Sequence, residues 1–111
     1  MDEFKGTGEQ TMSKYKKEEM YKQAEHFGLE NRMLQCTEEC GELIQALSKY
    51  QRVSKGDKTC NLSNYQSLDM VLEEIADVEI LLTQLKHLLC KTEEVEHIKV
   101  KKIERTEQRL G

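Results

Sequence analysis

Apolar residues recur at intervals of three and four along most of this chain, which is the spacing of one face of an α-helix. Ser13 can cap a first helix that runs to about Phe27, and Gly28 would stop it there. A second helix is predicted from about Asn31 to about Val53. Its apolar stripe consists of Met33, Cys36, Cys40, Leu43, Ile44 and Leu47. The first half of the chain is therefore predicted to be two helices.

A polar segment of turn-forming residues at 54–66 separates this pair from two further helical patterns. Ser67 can cap a third helix, whose apolar residues occupy most of its circumference, so it should be buried on several sides. Thr92 can cap a fourth helix with few apolar residues, which should be peripheral. We therefore expect an all-α fold of four to five helices, with the second and third antiparallel. Residues 1–12 are expected to be a flexible N-terminus and residues 13–111 a single helical domain.

The composition favours long helices, but the hydrophobic core of a single copy would be thin. The 111 residues include no proline, 34% are charged and only 5% are aromatic, which favours helices over a turn-rich β fold. On the third helix, Leu72, Ile80 and Leu88 point away from the mean apolar direction and need a second surface to cover them. We therefore expect an oligomeric helical bundle, a homo-oligomer that is at least a dimer.

Net charge and hydropathy exclude several classes of partner. The net charge of −4 is unsuited to nucleic acid, whose phosphates need a basic face. No segment approaches the ~18 consecutive apolar residues of a membrane span, and the N-terminal segment lacks the apolar core of a signal peptide. We therefore expect no nucleic-acid partner, no membrane partner and a cytoplasmic location.

Two acidic clusters interrupt the apolar helical pattern. The segments EECGE at 38–42 and EEIAD at 73–77 have the same form and align 35 positions apart. On a helical wheel, Glu39 and Glu42 lie beside the apolar face of the second helix, and Glu74 lies within the apolar arc of the third. Glu38 and Glu73 point away from both faces and fit a solvated surface.

Facing helices would bring four carboxylates to one seam of the bundle: Glu39, Glu42, Glu74 and Asp77. Four unpaired carboxylates cannot all stay ionised in a low dielectric without cations. Oxygen ligands without a partnered histidine favour a hard ion, so we expect Mg²⁺, with Mn²⁺ also possible. The competing interpretation is a solvated acidic face that binds no metal.

Other metal sites fit the sequence less well. A di-iron carboxylate bundle needs two Glu-x-x-His pairs, and Glu94 with His97 forms the only one, on the peripheral helix. Cys36 and Cys40 could hold zinc with two further partners, but both lie on the apolar stripe and are better explained as small buried residues. The remaining histidines are expected to be structural or surface residues: His26 and His87.

The paired acidic motifs resemble those of the MazG-like, all-α nucleoside triphosphate pyrophosphohydrolases, in particular the short, single-domain members. That family is marked by E-E-x-x-E on one helix and E-x-x-D on the next, which are EECGE at 38–42 and EIAD at 74–77 here. The resemblance covers roughly residues 20–110. The last helix departs from the family's K-x-x-K-N-x-x-R-Y, because it reads K-x-x-R-T-x-x-R-L from Lys102 to Leu110.

The resemblance implies hydrolysis of a nucleoside triphosphate between the α and β phosphates, giving the monophosphate and pyrophosphate. It implies Mg²⁺ held by the four carboxylates and a dimer or a dimer of dimers. Glu38 and Glu39 are then candidates to take the proton from the attacking water. Lys102, Arg105 and Arg109 are candidates to neutralise the phosphates, although they could instead complement the negative end of their helix.

Two other functions remain open at this point. A related phosphoribosyl-ATP pyrophosphohydrolase would use the same carboxylates with a different pocket. A non-enzymatic helical adaptor would carry the carboxylates only as charge. The sequence shows no pattern that selects a base or a sugar.

Overall fold

A computed structural model describes residues 12–111, which form four α-helices and no β-strand. Their bounds are Lys14–Phe27 for α1, Leu29–Ser54 for α2, Asn64–Leu89 for α3 and Thr92–Leu110 for α4. The predicted all-α fold is thus confirmed for this part of the chain. The predicted flexible N-terminus, apart from Met12, lies outside the described residues.

A single glycine ends α1 and begins α2. The side chain of Ser13 accepts a hydrogen bond from the backbone N–H of Lys16 at 3.2 Å and caps α1 as predicted. At the other end, Gly28 has φ of 87°, a backbone conformation that favours glycine. Its N–H donates to the carbonyl of Ala24 at 2.8 Å, and its carbonyl accepts from the N–H of Arg32 at 3.0 Å. Gly28 therefore closes one helix and opens the next.

The start of α3 lies earlier than predicted. Ser63 caps this helix through a capping box: its hydroxyl accepts from the N–H of Gln66 at 3.0 Å, and its own N–H donates to the Gln66 side chain at 2.9 Å. Ser67, the predicted cap, is instead buried inside the helix, where its hydroxyl donates to the carbonyl of Asn64. The prediction was wrong because the reciprocal pair satisfies two backbone donors at the earlier serine. The connecting loop shortens to residues 55–63.

The start of α4 also differs from the prediction by one residue. Thr92 is the first helical residue and Lys91 is the cap, without a side-chain hydrogen bond. Before it, Cys90 ends α3 in the left-handed conformation with φ of 56°. An ion pair of 3.5 Å between Lys86 and Glu96 joins the two helices. No residue of α4 is buried, which agrees with its predicted peripheral position.

The helices α2 and α3 pack as an antiparallel pair, as predicted. Arg32 near the start of α2 donates to Gln84 near the end of α3 at 3.1 Å, while Glu39 further along α2 meets Asp77 earlier on α3. Residues from α1, α2 and α3 form the apolar core: Met20, Ala24, Cys36, Ala46, Val71, Val78 and Leu81. The core is narrow, and the seam between α2 and α3 is its longest contact.

Large apolar side chains remain uncovered on both long helices. Leu72 and Ile80 are 54% and 42% exposed, while Leu88 is half-buried. On α2, Leu34 and Ile44 are exposed by more than half of their surface. None of the described helices is long and apolar enough to cross a membrane.

Alanine substitutions at Gly28, between two helices, and at Gly41, inside a helix, should shift stability in opposite directions. Neither Gly28 nor Gly41 has an atom within 4 Å of the position that a Cβ would take, so backbone conformation decides the outcome. Gly28→Ala should lower the free energy of unfolding by about 1–3 kcal/mol, because alanine is strained at this φ. Gly41→Ala should raise it by about 0.5–1 kcal/mol, because Gly41 lies inside α2. Chemical denaturation measures both. Destabilisation by Gly41→Ala would contradict the open space seen around this residue.

Candidate metal centre

Three carboxylates meet where the middle of α2 faces the middle of α3. One oxygen from each of Glu39, Glu74 and Asp77 lies within 4.8 Å of the other two. Glu74 and Asp77 share a face of α3 because they are three residues apart, and antiparallel packing brings Glu39 opposite them. Like charges at this separation repel one another strongly at a helix seam that is partly shielded from water.

Of the three carboxylates, Glu74 is the one with a buried oxygen, Oε1, that has no hydrogen-bond partner among the described residues. Burial, followed by the adjacent carboxylate of Glu39 and the charges of Asp77 and Glu42, raises the pKa of Glu74 to about 6. Burial, Glu39 and Glu73 also raise the pKa of Asp77. Such an oxygen needs a proton or a cation as its partner.

The donor set fits a hard divalent cation. All three groups supply carboxylate oxygen, which Mg²⁺ and Mn²⁺ prefer. With Mg–O distances of about 2.1 Å, opposite ligands of one ion lie about 4.2 Å apart. Oxygens already within 4.8 Å of one another therefore need only a small approach. The orphaned Glu74 oxygen gives the cluster a reason to take up such an ion.

The other predicted acidic residues surround this cluster without joining it. Glu42 lies exposed one turn after Glu39, and its charge acts on the Glu74 pKa. Glu38, the second candidate to accept a proton, is also exposed. Glu73 is exposed next to Glu74. The structure thus brings three of the four predicted ligands together and leaves Glu42 and Glu38 at the margin.

The basic residues predicted to bind phosphate lie apart from the carboxylates. Lys102, Arg105 and Arg109 are exposed on α4. This helix contacts α3 but not α2. Within residues 12–111, none of the three side chains forms an ion pair or donates a hydrogen bond. A single chain therefore does not bring these cations to Glu39.

A cleft of about 200 Å³ opens beside the carboxylates. Its walls come from both long helices: Arg32, Gln35, Glu39, Asp77, Ile80 and Leu81. The Gln35 side chain donates to Oε2 of Glu39 at 3.2 Å. The sequence interpretation missed Arg32 and Gln35, although a signal was available. They precede Glu39 by seven and four residues, a spacing that puts all three on one helix face.

The histidines are not gathered into a metal site among the described residues. Glu94 and His97 are both exposed on the peripheral α4. His87 bonds to Glu25 at 2.7 Å and stacks on Tyr21 with ring centroids 4.2 Å apart, which ties α1 to α3. These positions agree with structural and surface roles, and they give no support to a di-iron centre.

The cysteines behave as free thiols of different exposure. Cys36 is buried and Cys40 is half-buried one turn later on α2. Burial, assisted by the neighbouring Cys40 thiol, raises the pKa of Cys36. Neither belongs to a group of three potential metal ligands in the described part of the chain. Their positions therefore suit the small buried side chains expected from the apolar stripe.

No family model, no curated protein and no solved structure that was compared with this chain matches it. The two features of this chain that bear on its function are therefore the geometry of the carboxylates and the cleft that opens beside them.

Without metal, the folded protein should lose stability as the pH rises through the range in which Glu74 ionises. The folded pKa of about 6 lies above the ordinary 4.5, so the native state holds a proton that the unfolded chain has already released. Stability from this proton is complete below pH 4.5 and is lost as the pH rises through about 6. Asp77 acts in the same direction. Thermal denaturation between pH 4 and 8, with a chelator present, measures the slope.

Glu74→Gln should flatten this slope, because glutamine does not ionise. Glu79→Gln, at an exposed position of the same helix, is the matched control and should keep the wild-type slope. Added Mg²⁺ should raise the melting temperature of the wild type more than that of Glu74→Gln, because the ion offsets the repulsion. Equal slopes in wild type and Glu74→Gln would contradict the buried, repelled state of this carboxylate.

Proposed function

We propose that this chain is a Mg²⁺-dependent, MazG-like nucleoside triphosphate pyrophosphohydrolase. It cleaves a ribo- or deoxyribonucleoside triphosphate between the α and β phosphates, releasing the monophosphate and pyrophosphate. The observation that carries this proposal is the meeting of Glu39, Glu74 and Asp77 around an orphaned carboxylate oxygen. These residues come from the two acidic motifs that resemble the family's, in the same order along the chain.

Glu39, Glu74 and Asp77 would hold the Mg²⁺ ion, or Mn²⁺, with Glu42 one turn away as a further ligand. When bound, the ion supplies positive charge that neutralises the phosphates and polarises a phosphoryl oxygen. The carboxylates by themselves repel a triphosphate, so cation and substrate must bind together. The open cleft beside the cluster gives the phosphate chain a place to lie.

The chain's own acid–base chemistry involves Glu38 and Glu39. A carboxylate that accepts the proton of the attacking water must lie within hydrogen-bond reach of it. Glu39 is held by Gln35 at the wall of the cleft, which favours a fixed orientation. Glu38 is exposed at the position of α2 directly before Glu39. Both are proposed as candidates, and substitution distinguishes them.

We also propose that the working form is a cytoplasmic homo-oligomer, a dimer or a dimer of dimers. The support is the apolar surface that one copy leaves uncovered on α2 and α3. Lys102, Arg105 and Arg109 are proposed to bind phosphate. Because α4 does not contact α2 within one chain, this role requires the assembled oligomer.

Purified protein should release pyrophosphate from at least one nucleotide in the presence of Mg²⁺, and not in the presence of a chelator. Glu74→Gln should lower the rate of hydrolysis strongly, because it removes a proposed metal ligand. The loss should exceed the factor of about 10–100 that is typical when a residue supporting a metal ligand is replaced. The assay uses a panel of ribo- and deoxyribonucleoside triphosphates together with phosphoribosyl-ATP.

Glu38→Gln is the matched comparison, because it makes the same change at an exposed acidic position of α2. A loss as severe as that of Glu74→Gln would place Glu38 in contact with the ion or the water. Equal activity of wild type and Glu74→Gln would rule out the assigned site. Cleavage of phosphoribosyl-ATP alone would favour the related enzyme, and no cleavage of any substrate would favour the adaptor.

The oligomer should be visible by light scattering at micromolar concentration. Leu72→Lys should shift the mass towards the monomer, because a charge would then lie on the apolar surface that a second copy covers. Leu110→Lys, at an 84% exposed position of α4, is the control and should leave the mass unchanged. A fully helical wild-type monomer would contradict the proposed assembly.

A further inference from the structure

The Arg32 guanidinium has hydrogen-bond partners but no counter-ion among residues 12–111. Its Nε and Nη2 atoms donate to Oδ1 of Asn31 at 3.0 and 2.7 Å, and Nη1 donates to Oε1 of Gln84 at 3.1 Å. The group also lies 4.4 Å over the ring of Phe27. All three partners are neutral. Arg32 forms no ion pair with any described carboxylate, so within this part of the chain its positive charge is not offset.

This guanidinium is held in a fixed orientation. Gln84 is completely buried, and its Nε2 atom donates to the carbonyl of Met20 in α1 at 2.9 Å. The other end of the same amide accepts from Arg32. Because a buried amide is costly to leave unpaired, Gln84 restrains Arg32 as well as α1. The planar guanidinium is thus pre-organised to present its remaining donors.

Arg32 lines the same cleft as Glu39 and Asp77. A guanidinium has five N–H groups, of which one on Nε, one on Nη1 and one on Nη2 are used by Asn31 and Gln84. One N–H on each terminal nitrogen therefore has no acceptor among residues 12–111. One small cleft is consequently lined by a fixed cation and by two of the three clustered carboxylates, Glu39 and Asp77.

These opposite charges fit one class of ligand. A metal ion alone would occupy the carboxylates and leave Arg32 unpaired. A simple anion would pair with Arg32 but be repelled by Glu39 and Asp77. A polyphosphate complexed with a divalent cation satisfies both, since the cation meets the carboxylates and a phosphate meets the guanidinium.

We propose that Arg32 is a substrate-binding residue whose two unused N–H groups bind oxygens of the triphosphate chain. This proposal rests on the proposed function and adds to it the residue that recognises the phosphates within one chain. In this proposal Arg32 supplies positive charge to the phosphates within one chain, without a contribution from α4 or from a second copy.

The test compares Arg32→Gln and Arg32→Lys with Arg52→Gln. Arg52 is also on α2, but its side chain contacts Cys60 at the far end of the helix, outside the cleft. KM and kcat are measured for the best nucleotide, and binding of inorganic tripolyphosphate with Mg²⁺ is measured by calorimetry. Circular dichroism checks that each variant is folded at the assay temperature.

Arg32→Gln should raise KM and weaken tripolyphosphate binding by about 10–100-fold, the usual effect of losing hydrogen bonds to a charged group. Arg32→Lys should fall between it and the wild type, because the charge remains while the fork is lost. Arg52→Gln should match the wild type. A purely structural role would lower the melting temperature without changing KM.

Each outcome separates this proposal from the proposed function. Hydrolysis with the same KM in wild type and Arg32→Gln overturns the role of Arg32 and leaves the enzyme intact. An inactive wild type whose tripolyphosphate binding depends on Arg32 supports Arg32 and overturns the pyrophosphohydrolase. An inactive wild type that does not bind tripolyphosphate overturns both. If Arg32→Gln does not fold, Arg32→Lys is the variant that tests the proposal. A wild-type KM and wild-type tripolyphosphate binding in Arg32→Lys would overturn the proposed contact between two N–H groups of Arg32 and the phosphates.

Discussion

Repulsion between carboxylates at the α2–α3 seam is the constraint that the functional part of this structure must satisfy. The antiparallel packing that buries Val78 and Leu81 also brings Glu39 against Glu74 and Asp77. The chain cannot have this core without the repulsion, because both come from the same helix contact. A proton on Glu74 or a cation between the helices relieves it. The apolar packing therefore creates the need for a proton or a cation at this position.

Helical periodicity was sufficient to predict the main elements and most of the carboxylate cluster. The wheel placed Glu74 within the apolar arc of its helix, and its buried oxygen agrees with that position. Glu42 lay furthest from the apolar face among the proposed ligands, and it is exposed. The cap at Ser67 was wrong because several hydroxyls near that helix start compete for the same backbone donors. Only the side-chain geometry of Ser63 and Gln66 decides between them. The helix that begins at Thr92, by contrast, has Lys91 as its cap and no side-chain hydrogen bond there.

The position of the basic residues could not be derived in the same way. The direction of α4 relative to α2 depends on the left-handed turn at Cys90 and on contacts between helices, which a helical wheel does not contain. Arg32 was missed for a different reason. Its spacing from Glu39 puts the two residues on one helix face, but the buried amide that holds it, Gln84, lies 52 positions later in the chain. A local sequence pattern predicts the helix face on which a residue lies. The neutral partners of a charged side chain depend on the tertiary fold, which such a pattern does not contain.

The side-chain amide of Gln84 connects α1 to the cleft between α2 and α3. One side chain spans from the α1 backbone at Met20 to the guanidinium at the cleft. Any event that draws α1 away, such as cleavage near it or capture by another protein, breaks one of these two bonds and loosens the other. Because coupling between two sites is reciprocal, a ligand that held Arg32 in place would also favour the position of α1 at Met20. Gln84 thereby links α1 to a cleft whose walls α1 does not form.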